Sequence, residues 1–290
     1  MRRSVLIFLA WTTFCASPAR AQEFETKDDF DTKHIFGFTE GTAINAPDER
    51  EAEFVTTAHF LKRGGGLYRA AEQEATAEGA LTQGLGYELT LHGAAVQTRG
   101  AAGLDPLRQV NFSGLSVEPK FIVLSRDSAP IGLAVSLQPE WERIDAVSGR
   151  GARSFALPAR LMADAAWGGR FYAGANLLYA PEWDREAGAP AARGALFGAT
   201  GALAWRLAPQ ISLGGAVEAY AATRSLGLGA PAGTAVYLGP TFFARLAPNL
   251  FIAGAWSIQV GGRPVAGGLE DYNQTEFSRH KARLTLGFAL

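Results

Sequence analysis

His34, His59, His92 and His280 are the side chains here best suited to acid–base work or metal binding, and they are scattered. No two have the spacing of a helical zinc pair, and no Gly-rich phosphate loop or nucleophile motif follows a strand-like segment. Barrel lipases use a Ser and a His on their lipid-facing side, and nothing places such a pair in this chain. The expectation is therefore no catalytic residue, no cofactor, no metal and no enzyme. His92 falls on the polar face of its segment, where a histidine is more often a hydrogen-bonded lining residue than a base.

The chemistry that the pattern does offer is electrostatic. Glu53, Glu72, Glu74, Glu88, Glu118 and Glu140 come from the first half of the chain. Arg160, Arg206, Arg245, Arg279, Lys281 and Arg283 come from the second. All fall on the non-apolar face of alternating segments. In a closed sheet they would make one acidic and one basic wall, a transverse field able to orient a polar or zwitterionic solute. The competing reading is a set of ion pairs that fills the interior, because unpaired charge there is costly unless water reaches it. The candidate lumen-lining set is Glu53, Glu88, His92, Glu118, Lys120, Glu140, Arg160, Arg206, Arg245, Lys281 and Arg283. Closing the sheet is expected to bring Lys281 and Arg283 beside Glu51 and Glu53, which favours the filled reading at the closure.

The elements that must hold these groups are strands. Side chains alternate across a strand with period two. Leu284, Leu286, Phe288 and Leu290 share one face of the last segment, and Arg283, Thr285, Gly287 and Ala289 the other. A soluble protein would leave such a strand as a sticky edge, whereas a membrane barrel closes with it. The same alternation recurs at Phe54–Phe60, Leu85–Leu91, Leu115–Val123, Leu133–Trp141 and Phe155–Trp167, and again at Phe171–Tyr179, Phe197–Leu207, Ile211–Val217, Val236–Leu246 and Leu250–Ile258. Leu67–Glu78 is a poorer example. The count is about twelve, and the connections alternate short and long, as in outer-membrane barrels. Arg63–Gly64–Gly65–Gly66 is a tight hairpin on the long-loop side. Trp141 and Trp183 fall near the long-loop ends, and Trp167, Phe171 and Trp205 near the short-turn ends, as interfacial girdles do; Trp256 is mid-strand. Pro119, Pro139 and Pro240 each lack a ladder donor, so bulges or displaced register are expected there.

At the other end, Arg2 and Arg3 precede a short apolar run, and Ala19–Arg20–Ala21 offers small residues at a cleavage site. Residues 1–21 read as a secretory signal peptide that would remove Cys15, the one cysteine. Losing Arg2, Arg3 and Arg20 would move the formal charge from −1 to about −4, which gives no reason to expect a nucleic-acid partner. The chain is 48% hydrophobic, yet no later stretch has twenty apolar residues in a row, so transmembrane helices are not expected. Residues 22–49 begin as a solvated, charged segment, and His34–Phe38 could be a short strand, a lumen plug or a dock on the periplasmic rim.

The stretches Ser116–Phe121 and Ala129–Ala134 resemble uncharacterised bacterial outer-membrane proteins grouped with candidate transporters of phenol-degradation operons. The run His34–Gly41 is similar to related proteins of unknown function. The resemblance implies a barrel more strongly than a substrate. The expected architecture is all-β: a single transmembrane antiparallel β-barrel over residues 50–290, with short periplasmic turns and longer extracellular loops, preceded by a periplasmic or plug segment over 22–49. Its expected partners are the outer-membrane bilayer, the barrel-assembly machinery and a small-molecule solute, in the bacterial outer membrane. The expected function is passive or facilitated passage of that solute. The alternatives are a non-conducting structural or interaction barrel acting through its loops, and a secreted soluble β-protein.

Overall fold

The computed structural model describes residues 32–62, 66–186, 188, 190–264 and 272–290. The expected signal peptide over residues 1–21, with Cys15, and most of the Arg63–Gly66 hairpin lie outside the described residues. Alternating apolar and polar residues make fourteen antiparallel segments: β1 (Arg50–Phe60), β2 (Leu67–Thr82), β3 (Leu85–Arg99), β4 (Leu107–Leu124), β5 (Ile131–Leu137), β6 (Glu140–Ile144), β7 (Gly151–Ala156), β8 (Ala159–Trp167), β9 (Phe171–Asp184), β10 (Ala192–Ala208), β11 (Ile211–Thr223), β12 (Pro231–Ala247), β13 (Leu250–Pro264) and β14 (His280–Ala289). β5 with β6, and β7 with β8, are interrupted halves of single wall strands, so the described residues form a twelve-strand wall. β14 pairs with β1 and the sheet closes, which leaves no edge strand among the described residues.

Closure has a register that the sequence reading missed. The strands run antiparallel, so the start of β1 meets the end of β14: Glu51 faces Ala289 and Glu53 faces Gly287. Lys281 faces His59, and Arg283 faces Thr57. The expected pairing of Lys281 and Arg283 with Glu51 and Glu53 does not form, because the two pairs lie toward opposite ends of the seam.

The outer face is apolar around the wall. Phe54, Leu91, Phe121, Leu177, Leu203 and Leu238 are all exposed, with many similar neighbours. Such a continuous apolar belt has no place on a protein dissolved in water, and the soluble alternative falls with it. Trp167, Phe171 and Trp205 stack in a row near the short turns, with centroids 6.3 Å apart at each step. Trp141, Phe155 and Trp183 form a second row near the long loops. Leu284→Arg places a cation on this belt and is expected to cost about 2–4 kcal/mol near mid-bilayer, while Glu74→Arg on the inner face costs much less. Reversible unfolding in lipid measures both, and equal costs would reject this assignment of faces.

The prolines act differently from expectation. Pro119 keeps ordinary register with Tyr87, and the wall strand carrying Pro139 stops and resumes at Gln138–Pro139 without a shift. Pro158 interrupts the next wall strand in the same way, and Pro181 follows on β9. These gaps are closed by single bonds: Val117 N–H donates to Pro139 O (3.1 Å), Gln138 N–H to Pro158 O (2.8 Å) and Leu157 N–H to Pro181 O (3.0 Å). At Pro240 the ladder to β13 skips two residues and resumes in the same register. A missing donor here breaks pairing locally instead of sliding it. Several long connections are shorter than expected, since β3 runs to Arg99 and β4 begins at Leu107.

Candidate functional site

The lumen is organised around residues 32–46. This stretch joins β1 at the short-turn rim, and its other described end also lies there, with Arg126 Nη2 donating to Thr32 Oγ1 at 2.6 Å. Between them the chain dips into the barrel as a loop. Its apolar anchor is Ile35 and Phe36, both fully buried against Tyr172, Phe243, Phe251 and the alanines 202, 204, 216 and 253. Gly37 has φ of 69°, and a Cβ there would come within 2.7 Å of Ala255 and Thr241. Only glycine meets both demands.

The returning arm is held by polar groups that the wall presents. Asn176 forms a two-way clamp with the Glu40 backbone at 2.7 and 2.9 Å. Asp164 accepts from both Thr42 N–H and Thr42 Oγ1 at 2.9 Å. Thr39 Oγ1 donates to Thr200 Oγ1 at 2.8 Å, and Lys120 Nζ donates to Gly41 O at 2.9 Å. Burial would push the Glu40 carboxyl up, but the cations Arg160, Lys120, Arg283 and Lys33 outweigh it and hold the group below its ordinary range.

A cavity of about 120 Å³ remains between this loop and the wall. Glu53, Glu88, Glu118, Lys120, Arg160 and Arg283 from the expected lining set border it. Arg160 Nη1 reaches both oxygens of Glu118 at 2.8 and 2.9 Å and lies 3.5 Å from Glu40. His92 is buried, 2.8 Å from Ser116 Oγ and 3.9 Å from Glu140. Lys281 is ion-paired with Glu218, and its ammonium sits over the rings of Phe38 (4.0 Å), Tyr237 (4.6 Å) and Tyr220 (4.8 Å). Arg206 and Arg245 stand apart from this group, half-buried on the strands leading to the short turns.

The acidic and basic walls therefore do not face each other across open space. Much of the charge is matched locally, partly by the loop itself: His34 Nε2 lies 2.8 Å from Glu53, and Lys33 is ion-paired with Glu78. Glu218 was missed by sequence reading because β11 carries no other charged residue and so shows no charge pattern around it. Toward the long loops the balance changes. Glu72, Glu74, Glu140 and Glu142 stand on inward positions of β2 and β6, where His59 is 3.5 Å from Glu72.

A closed wall with an apolar belt, aromatic rows and a charged interior defines an outer-membrane β-barrel. The fold bears this out among solved proteins. An outer-membrane channel from Pseudomonas putida F1 superposes with a TM-score of 0.58 at 11% identity, over 86% of this chain and 97% of that one. The NanC porin superposes at 0.50 and 8% identity, over 82% of this chain and all of that one. No curated protein matches the sequence. The chain belongs to the family of unknown function DUF6662, whose model matches residues 28–290.

Proposed function

We propose that this protein is an outer-membrane channel for a small solute, closed near its periplasmic end by the loop of residues 32–46. The carrying observation is the contrast between the two ends of the lumen. The short-turn half is filled by a loop docked through an apolar anchor and a few hydrogen bonds, whereas the long-loop half keeps inward carboxylates on β2 and β6. These carboxylates outnumber the cations Lys281 and Arg283 that β14 presents at the same level, and would give the outer mouth a net negative field that favours cations and positively charged ends of zwitterions. In this reading residues 1–21 are the leader and the barrel-assembly machinery inserts the wall. The likeness of Ser116–Phe121 and Ala129–Ala134 to candidate transporters of phenol-degradation operons supports passage, and leaves the solute's chemistry to the lumen.

Planar-bilayer recording tests it. The full chain is expected to show low, infrequent conductance, and loop-releasing substitutions larger and more frequent openings. Currents should favour cations, and Glu74→Gln with Glu142→Gln should reduce that preference, read as a shift in reversal potential under a salt gradient. A second reading, the non-conducting barrel, draws on the ion pairs Lys281–Glu218 and Arg160–Glu118, which fill much of the interior. It prevails if barrels with a released loop, shown closed by heat-modifiable migration on a gel, stay silent.

A further inference from the structure

We propose that His34, Glu51 and Glu53 form a site for one divalent transition-metal ion, with zinc the best match, that clamps the lumen loop to the closing strand of the barrel. Their three ligand atoms lie within 4.8 Å of one another. His34 Nε2 is 2.8 Å from Glu53 Oε1 and 3.7 Å from Glu51 Oε1. Zinc bonds of about 2.0–2.1 Å at tetrahedral angles set ligands about 3.3 Å apart, so the observed separations bracket the required one. One imidazole and two carboxylates suit a borderline ion better than magnesium or calcium, which prefer oxygen alone.

The surroundings point the same way. Glu53 is 5% exposed and lies against His34 inside the cluster, so a nearly fully buried carboxylate is aimed at this spot. A divalent cation beside a neutral imidazole carries the charge that two carboxylates match. The ligands are also oriented from outside: the His34 ring stacks on Phe251 at 4.7 Å, and Asn45 Nδ2 donates to Glu51 Oε2 at 3.3 Å. Gly287, opposite Glu53 on β14, keeps the space open, since a Cβ there would meet the Phe251 ring and come 3.0 Å from Glu51 Oε1.

The ligands come from two parts of the chain: His34 from the loop, Glu51 and Glu53 from β1 at the seam. Metal binding would therefore tie loop docking to the closed barrel. The proposal does not depend on whether the lumen conducts.

The experiment uses the full chain refolded in lipid and stripped with EDTA. Calorimetric titration with Zn²⁺ should give one site per barrel. Glu53→Gln and His34→Gln should each weaken it at least about tenfold, and Asn45→Ala to a smaller degree. Heat-modifiable migration must show every variant folded. In the wild type, Zn²⁺ should protect residues 32–46 from protease, EDTA should reverse this, and Glu53→Gln should abolish the response. An unmutated folded barrel that takes up no Zn²⁺ at one equivalent overturns the proposal, as does binding that survives both substitutions. Zn²⁺ uptake without any change in loop protection overturns the clamp.

Discussion

Lys281→Met is expected to destabilise the barrel by about 3–5 kcal/mol, the cost of leaving one member of a buried ion pair without its partner. Glu218 is fully buried, so its carboxylate cannot turn to water when the ammonium is gone. Its remaining contacts, Tyr220 OH at 2.7 Å and Ser257 Oγ at 2.7 Å, supply hydrogen bonds but no positive charge. The ammonium also leaves three aromatic rings, which lose their shared cation. Adding Glu218→Gln to Lys281→Met should restore much of the loss, because the surviving amide is neutral and can still bond to Tyr220 and Ser257. Reversible unfolding in lipid vesicles gives all three values. A double variant as unstable as Lys281→Met would show that the two groups do not act as a pair.

Phe36→Ala should be comparably large but felt elsewhere. Removing a fully buried phenylalanine costs about 3–5 kcal/mol, and here the loss falls on docking of the loop and not on the wall. The ring fills a recess made where Gly174 leaves room, a Cβ there coming within 2.9 Å of it. The wall ladders do not involve Phe36, so gel migration should still report a closed barrel. Hydrogen exchange over residues 32–46 should rise steeply, with β1 and β14 nearly unchanged. If exchange in the loop stays slow, the polar anchors at Asp164 and Asn176 are sufficient to hold it without the apolar one.

The wall was readable in the sequence because a barrel imposes one rule at every position. Lipid on one side and a polar lumen on the other force strict alternation, and Leu284, Leu286 and Phe288 obey it to the chain's last residues. The seam was readable as a pairing but not as a register, since alternation says which face a residue takes and nothing about its level along the axis. That is why Lys281 was matched with the wrong acids. The lumen loop was harder to see. Its signal lay in the wall: inward positions at Ala202, Ala204, Ala216 and Ala253 are small and apolar where a water-filled channel would be polar. Read strand by strand, they pass for ordinary alanines. Only when four strands are set side by side do they outline a socket. Similarly, Lys120 looked like one more lining charge, and its role in holding Gly41 spans 79 residues of chain.

The loop enters and leaves by the same rim. Thr32 sits beside Arg126 at a short turn, and Arg50 begins β1 at that same end. Nothing between them passes through the wall. In topological terms the described loop and the cylinder are unlinked: the loop can be drawn out like a folded thread from a ring, and returned, without cutting a single rung of the ladder. The enclosure can form first and be filled afterwards, and emptying it leaves the ring whole.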